Sequence, residues 1–178
     1  EMSFSGMVKE ELSRQIGNAR HCRIAELAAI IGSCGRMGHF PQGDILKIQT
    51  ENEAVARKCF TLLQKTFNIE TEISVRENSH LKRVKVYVIE ISEPKEIQVI
   101  LQALKLTTDS VDHGTLIVAD MLVAQQNCCK RAFIRGAFLA SGSISDPEKG
   151  YHFEIVCPDV RRAEQLQTII RSFSIDAK

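Results

Sequence analysis

The sequence predicts an α+β fold built from two tandem αββαββα repeats related by a pseudo-twofold axis, with the second repeat incomplete. Two observations lead to this prediction. Residues 131–156 contain a helix rich in small residues, a Gly-Ser stop, a polar turn and a strand, and residues 25–50 contain a weaker copy. A single offset of 107 residues aligns the two copies and continues into the helices that follow them. Because an ungapped match of this length is improbable by chance, we expect one unit used twice.

The aligned positions carry similar side chains into the second helix, after which the register slips by one residue and pairs Phe67 with Phe173. Two copies are too few for a solenoid, so a pair of facing halves is the better interpretation. The pairs that share the offset are Leu27 and Ile134, Ala25 and Ala132, Ala29 and Gly136, Ser33 and Ala140, Gly35 and Gly142, Leu46 and Phe153, Ile48 and Ile155, and Asn52 and Asp159.

The first helices are predicted from caps and apolar spacing. Residues 3–17 are predicted to form a short helix with Ser5 as its cap. Residues 19–33 are predicted to form a longer helix, in which small side chains recur every four positions and allow a second helix to approach closely. Together with its copy, this helix supplies the predicted interface between the repeats: Ala25, Ala29, Ser33, Ala132, Gly136 and Ala140.

The rest of the first unit follows from alternation and turn residues. Residues 36–40 and 44–50 are predicted to form a hairpin, and Asn52 to cap a helix that ends near residue 67. A second hairpin is predicted at 70–76 and 82–91, with its turn at Asn78 and Ser79, and Pro94 is predicted to open a helix to about residue 105.

These elements define the predicted domains. Residues 1–20 are the N-terminal helix, 21–105 the first repeat, 106–126 a linker, and 127–178 the second repeat. The second repeat is expected to be incomplete, because the chain stops where its next hairpin should begin. Residues 115–124 are apolar without a clear period, so helix and strand both remain open there.

The composition does not indicate a nucleic acid, a membrane or a metal as a binding partner. The formal net charge is +1, and no apolar run approaches the roughly 20 residues that span a bilayer. The six cysteines lack CxxC spacing, so we expect reduced, buried thiols in a cytoplasmic protein, with Cys128 and Cys129 as a less favoured redox or metal pair. The five histidines are predicted to be turn or surface residues that form no metal-spaced cluster, and no metal or cofactor is expected.

The repeated unit resembles the LAGLIDADG homing-endonuclease fold. The motif lies over residues 27–35 (LAAIIGSCG) and 134–142 (IRGAFLASG). The resemblance implies that the motif helices pair between the halves and that saddle-shaped antiparallel sheets sit on DNA. It also places the metal-binding acidic residue of each motif at Cys34 and Ser141. Since a thiol and a hydroxyl are poor ligands for a hard divalent cation, the scaffold is expected without the nuclease chemistry.

A longer resemblance is to the WhiA family. It lies in the run CCKRAFIRGAFLA at residues 128–140, in Gly142-Ser143, and in the opening residues 3–12. The resemblance implies a bacterial, nucleoid-associated DNA-binding regulator of sporulation and cell division, extending to chromosome segregation. The family pairs this domain with a C-terminal helix-turn-helix, which is expected to be missing before Lys178. The implied partners are double-stranded DNA and another transcription regulator or RNA polymerase, with no membrane.

The candidate DNA contacts are basic side chains on predicted strand faces opposite the apolar core. Lys47, Arg76, Arg83 and Lys85 could follow the phosphate backbone without reading bases, and a solvated sheet face is the alternative interpretation. The copied strand carries Glu154 at the position of Lys47, so the second half is expected to bind DNA less well. Arg131 and Arg135 lie one turn apart on the second motif helix, where salt bridges are favoured over phosphate contacts.

The preferred hypothesis is therefore a non-enzymatic, DNA-binding transcriptional regulator with a degenerate endonuclease domain. One alternative is a protein interaction module whose DNA binding comes from the missing helix-turn-helix. The other is an active, metal-dependent homing endonuclease.

Overall fold

The computed structural model describes residues 2–78 and 83–178 as six α-helices and eight strands. The first half of the chain folds as helices and paired strands, and the second half repeats part of that order. The helices are α1 Phe4–Ser13, α2 Arg20–Cys34, α3 Glu53–Phe67, α4 Pro94–Ala103, α5 Asn127–Ser141 and α6 Val160–Arg171. The strands are β1 Gly35–Phe40, β2 Gly43–Thr50, β3 Ile73–Asn78, β4 Val84–Ile91, β5 Leu106–Thr108, β6 Leu116–Val118, β7 Gly142–Ile144 and β8 Phe153–Ile155.

The repeat predicted from the 107-residue offset is present in the backbone. Helices α2 and α5 begin and end at equivalent positions. The helices that follow are capped in the same way. The side chain of Asn52 accepts a hydrogen bond from the amide of Val55 at 3.2 Å, and the side chain of Asp159 accepts one from the amide of Arg162 at 2.8 Å. The strand registers also correspond, since Gly35 faces Ile48 in the first half as Gly142 faces Ile155 in the second. The α+β fold of paired helices and antiparallel sheets is confirmed.

The first half contains a four-stranded antiparallel sheet in the order β1-β2-β4-β3. One face packs against the helices, and its central side chains are fully buried: Leu46, Ile48, Ile89 and Ile91. The opposite face carries the side chains at the alternate positions, and we call it the open face. The second half contributes the shorter two-stranded sheet β7-β8.

Helix α1 differs from its prediction in its cap and its end. Ser3 is the N-cap, its side chain accepting the amide of Gly6 at 3.0 Å, and the helix ends at Ser13 instead of continuing to residue 17. The hydroxyl of Ser5 instead accepts the amide of Ile144 at 2.7 Å and donates to its carbonyl at 2.8 Å. The predicted cap was wrong because this hydroxyl has a partner in β7, which local sequence cannot show.

The segment predicted as a linker is a packed β-hairpin. Strands β5 and β6 pair antiparallel, and the side chains of Leu106, Leu116 and Val118 are buried against the end of α2. A short 3₁₀ helix, Met121–Ala124, follows. The apolar stretch left open in the sequence is thus one strand and one 3₁₀ turn, which explains its lack of a single period.

Three predictions fall outside the described residues. They are the turn at Ser79, the surface position of His80 and the start of a strand at Lys82. Within the described ranges, no helix has the length and hydropathy needed to cross a bilayer.

Candidate functional site

Helices α2 and α5 pack directly against each other through their small residues. A Cβ atom added to Gly136 would lie 2.5 Å from the carbonyl oxygen of Glu26 and 3.0 Å from the Cβ of Ala29. Gly136 and Ala29 are equivalent positions of the two repeats. Equivalent positions touch each other only where a twofold axis passes between them, so this contact marks the pseudo-twofold axis.

The predicted interface residues divide along the helix pair. Ala25, Ala29, Ala132 and Gly136 are buried, and Ala29 and Gly136 meet at the close approach of the two helices. Near the carboxyl ends of the helices Ala140 is half-buried and Ser33 is exposed, so the contact loosens there.

A buried ionic cluster accompanies the helix contact. The carboxylate of Glu26 in α2 pairs with Lys58 of α3 and with Arg135 of α5, whose Nη2 lies 2.9 Å from it. Lys58 also donates to the carbonyl oxygen of Leu12 in α1 at 2.8 Å. Burial lowers the pKa of the Lys58 ammonium, and the nearby carboxylate opposes that shift. The predicted salt bridge of Arg135 is present, while Arg131 lies over the ring of Phe173.

The degenerate metal positions carry no anionic oxygen. Burial raises the pKa of the Cys34 thiol to about 11, with the Lys9 ammonium acting weakly in the opposite direction. The hydroxyl of Ser141 donates to the carbonyl of Ala137 in its own helix at 3.4 Å. A neutral thiol and a single uncharged hydroxyl do not fit a hard divalent cation, which requires several charged or carbonyl oxygens. No catalytic step through such a metal follows from these residues.

The open face of the four-stranded sheet carries a row of basic side chains. Arg36 on β1 lies directly opposite Lys47 on β2, and Lys47 lies opposite Glu90 on β4. Arg76 on β3 reaches the carboxylate of Glu90 at 2.9 Å. Among the described residues, Lys47 has no ion pair. Sequence reasoning included Lys47 and Arg76 but missed Arg36, whose register opposite Lys47 could have identified it.

The other two candidate phosphate ligands do not join this row. Lys85 lies opposite Glu77 in the β3-β4 pair and four residues before the core residue Ile89. Side chains an even number of residues apart share one face of a strand, so Lys85 projects from the same face as Ile89 and not from the open face. Arg83 is exposed and precedes β4. The prediction that Lys85 lies opposite the apolar core was wrong, because Ile89 and Ile91 pack against the helices and Lys85 shares their side of β4.

The equivalent surface of the second half has a different charge. Ser143 lies opposite Glu154 in the β7-β8 pair, at the positions that Arg36 and Lys47 occupy in the first half. His152 lies 3.2 Å from the carboxylate of Glu154. The predicted asymmetry is therefore present in the strand register itself.

A further group of side chains lies at the opposite end of the paired helices. The ligand atoms of His21, Cys22, Cys128 and Cys129 lie within 4.8 Å of one another. The prediction that the histidines join no such cluster was wrong for His21. The pair His21 and Cys22 is more than 100 positions away from the pair Cys128 and Cys129, and the pairing of α2 with α5 brings the two pairs together. Cys128 is exposed, so the prediction of buried thiols was wrong for this residue.

Comparison with known proteins agrees with this architecture. A family model described as WhiA N-terminal LAGLIDADG-like domain matches residues 20–107, and one described as WhiA LAGLIDADG-like domain matches residues 130–178. The chain is 53% identical over 179 residues to a probable cell division protein WhiA of Lachnoclostridium phytofermentans, covering 99% of this chain and 57% of that protein. It is 41% identical over 178 residues to the protein of the same name from Lachnospira eligens, covering 99% of this chain and 56% of that protein.

Two solved structures share the fold. A crystal structure of the N-terminal LAGLIDADG domain of DUF199/WhiA superposes with a TM-score of 0.71 at 22% identity, covering 100% of this chain and 78% of that one. Full-length DUF199/WhiA from Thermatoga maritima superposes with a TM-score of 0.69 at 20% identity, covering 99% of this chain and 52% of that one.

The chain spans about half the length of the curated relatives it matches. The two family models together match most of its residues, and the paired motif helices with their degenerate ends agree with them. The chain belongs to the WhiA family and carries its degenerate LAGLIDADG-like domain.

Proposed function

We propose that this chain binds double-stranded DNA, without cleaving it, as part of a regulator of transcription in sporulation and cell division. The single observation that carries the proposal is the basic row of Arg36, Lys47 and Arg76 on the open face of the sheet. The names of the relatives support the link to cell division. Such a protein would act in the cytoplasm at the nucleoid, with another regulator or RNA polymerase as a further partner.

The row fits the phosphate backbone better than it fits a purely structural role. Lys47 is half-buried between Arg36 and Glu90, and it lacks an ion pair within the described part of the chain. Arg36 pairs with Asp112 at 3.1 Å and Arg76 with Glu90, and both pairs are exposed. Exposed pairs contribute little to stability, so a phosphate can replace either carboxylate. Contacts of this kind position DNA without reading its sequence.

The first prediction compares two lysines on opposite faces of one sheet. Lys47→Gln is expected to weaken binding to a duplex of any sequence and to reduce the slope of log K against log salt by about 1, because one phosphate contact is lost. Lys85→Gln removes the same charge from the other face and is expected to leave the slope unchanged. Fluorescence anisotropy with a labelled duplex over a salt series measures both.

Equal losses from the two lysines would contradict the assignment of the open face, since net charge alone would then explain the effect. Unchanged affinity in both variants would favour the protein interaction module, with DNA contact left to a part of the relatives outside this chain. A titration beside the full-length protein separates these outcomes.

The second prediction restores symmetry between the halves. Ser143→Arg combined with Glu154→Lys places in the second hairpin the pair that Arg36 and Lys47 form in the first. The double variant is expected to bind DNA more tightly and to steepen the salt slope by about 2, since two positive charges replace a neutral and a negative side chain. An unchanged slope would show that the second hairpin does not face DNA.

The absence of cleavage rests on the chemistry of Cys34 and Ser141. A two-metal phosphodiester mechanism needs anionic oxygens at the helix ends, and neither side chain supplies one. Incubation of the chain with supercoiled plasmid and Mg²⁺ tests this, and the plasmid is expected to remain supercoiled. Nicking that persists in a Ser141→Ala variant would indicate contamination, whereas nicking that this change abolishes would establish the endonuclease alternative.

A further inference from the structure

The amino ends of the two motif helices bring four metal-binding side chains to one place. His21 and Cys22 lie in the first turn of α2, and Cys128 and Cys129 lie in the first turn of α5. All four ligand atoms lie within 4.8 Å of one another, and Cys128 Sγ is 3.4 Å from His21 Nε2. In a tetrahedral zinc site with bonds of about 2.0–2.3 Å, neighbouring ligand atoms are separated by about 3.3–3.8 Å. The four atoms therefore need only small movements to surround one ion.

The cluster obeys the pseudo-twofold symmetry of the fold. His21 is equivalent to Cys128, and Cys22 is equivalent to Cys129, at the same offset that relates the two repeats. Each half thus supplies two adjacent ligands. The site lies on the helix pair at the end opposite Cys34 and Ser141, about 20 Å away along helices of 15 residues.

The donor set selects the kind of metal. Three thiols and one imidazole are soft to intermediate ligands that favour zinc and exclude magnesium and calcium. Four protein ligands leave no open position for water, which is typical of structural and not of catalytic zinc.

We propose that His21, Cys22, Cys128 and Cys129 form a structural zinc site that fastens the two repeats together at the pseudo-twofold axis. The ion ties the start of α2, in the first repeat, to the start of α5, in the second. The site is independent of the basic open face, so its presence does not depend on whether the chain binds DNA.

Metal binding is tested on the 178-residue chain, reduced and then stripped with a chelator. Zinc titration against a chromophoric competitor is expected to give one equivalent per chain and to raise the midpoint of thermal unfolding by about 5–10 °C at 100-fold excess over Kd. Cobalt in place of zinc is expected to give the visible bands of a tetrahedral ion together with thiolate-to-cobalt charge transfer.

Single variants distinguish this site from adventitious thiol binding. Cys128→Ser changes an exposed side chain and is expected to lower zinc affinity at least about 100-fold and to weaken the charge-transfer band. His21→Gln is expected to weaken binding while retaining that band, because all three thiols remain. Cys157→Ser is the matched control, since it removes a thiol outside the cluster, and it is expected to change neither quantity.

Several results would overturn the proposal. They are a stoichiometry well below one equivalent, equal losses in the Cys157 and Cys128 variants, or cobalt spectra without the tetrahedral bands. A disulfide between Cys22 and Cys128 that persists under the reducing conditions of the titration would also overturn it, because two ligands would then be consumed. The proposal would also be overturned if the thiols were free and zinc nevertheless left the midpoint of thermal unfolding unchanged.

Discussion

Glu26→Ala is expected to lower the free energy of unfolding by about 3–5 kcal/mol, because it leaves the buried Lys58 ammonium without its counter-ion. Lys58 is 1% exposed, and its remaining partner is the carbonyl oxygen of Leu12. Arg135 is partly exposed and can turn toward water, so Lys58 accounts for most of the loss. Urea unfolding at neutral pH, followed by circular dichroism, measures the difference from the parent chain.

The pH dependence of that loss follows from the lowered pKa of Lys58. The folded state of the variant binds a proton on this ammonium less readily than the unfolded state does, so its stability rises with pH. The loss of unfolding free energy in the Glu26→Ala variant is therefore expected to be largest near neutral pH and to become smaller as the pH approaches 10.5, the ordinary pKa of lysine. A deficit that grows with pH would contradict the assigned role.

Two companion variants separate the buried charge from a general loss of contacts. Glu10→Ala removes a carboxylate with two arginine partners on the surface of α1 and is expected to leave the unfolding midpoint nearly unchanged. Glu26→Leu combined with Lys58→Met replaces the pair with apolar side chains and is expected to recover most of the stability lost by the single change. Failure of this rescue would indicate that Glu26 acts mainly through Arg135.

Gly136→Ala is expected to destabilise the fold by about 1–3 kcal/mol, although alanine is the better helix former. Its Cβ would lie 2.5 Å from the carbonyl oxygen of Glu26 and 3.0 Å from Ala29. The closest atom belongs to the backbone of α2 and cannot rotate away, so the two helices must separate at the pseudo-twofold axis. Thermal and urea unfolding of the variant measure this cost.

Gly32→Ala is the matched control, because Gly32 is also a buried glycine of a motif helix. A Cβ there would lie 3.5 Å from Val118 and 3.7 Å from Leu106, which is ordinary van der Waals contact. The change is expected to be neutral or to stabilise the chain by up to about 1 kcal/mol through helix propensity. If both glycine variants behaved alike, the close approach of α2 and α5 would not be the cause.

The fold and the family could be predicted from the sequence, because the residues that indicate them are neighbours in the chain or recur in the second copy of the repeat. The caps at Asn52 and Asp159, the small-residue helices and the hairpin at β1-β2 each follow from neighbouring residues, and the 107-residue offset assembles them into two halves. The same offset makes Cys34 and Ser141 equivalent, and the resemblance to the LAGLIDADG motif identifies them as the degenerate metal positions. Periodicity, capping and repetition require no knowledge of distant contacts.

Tertiary structure alone decided the features that depend on partners far away in the chain. The hydroxyl of Ser5 binds β7, Lys85 and Lys47 lie on opposite faces, and His21 meets Cys128, and none of these pairings has a local signal. A side chain's face or partner is set by which backbone packs against it, and that is a property of the whole fold. The sequence specified the two halves, whereas their packing determined which side chains came together at the axis and on the open face.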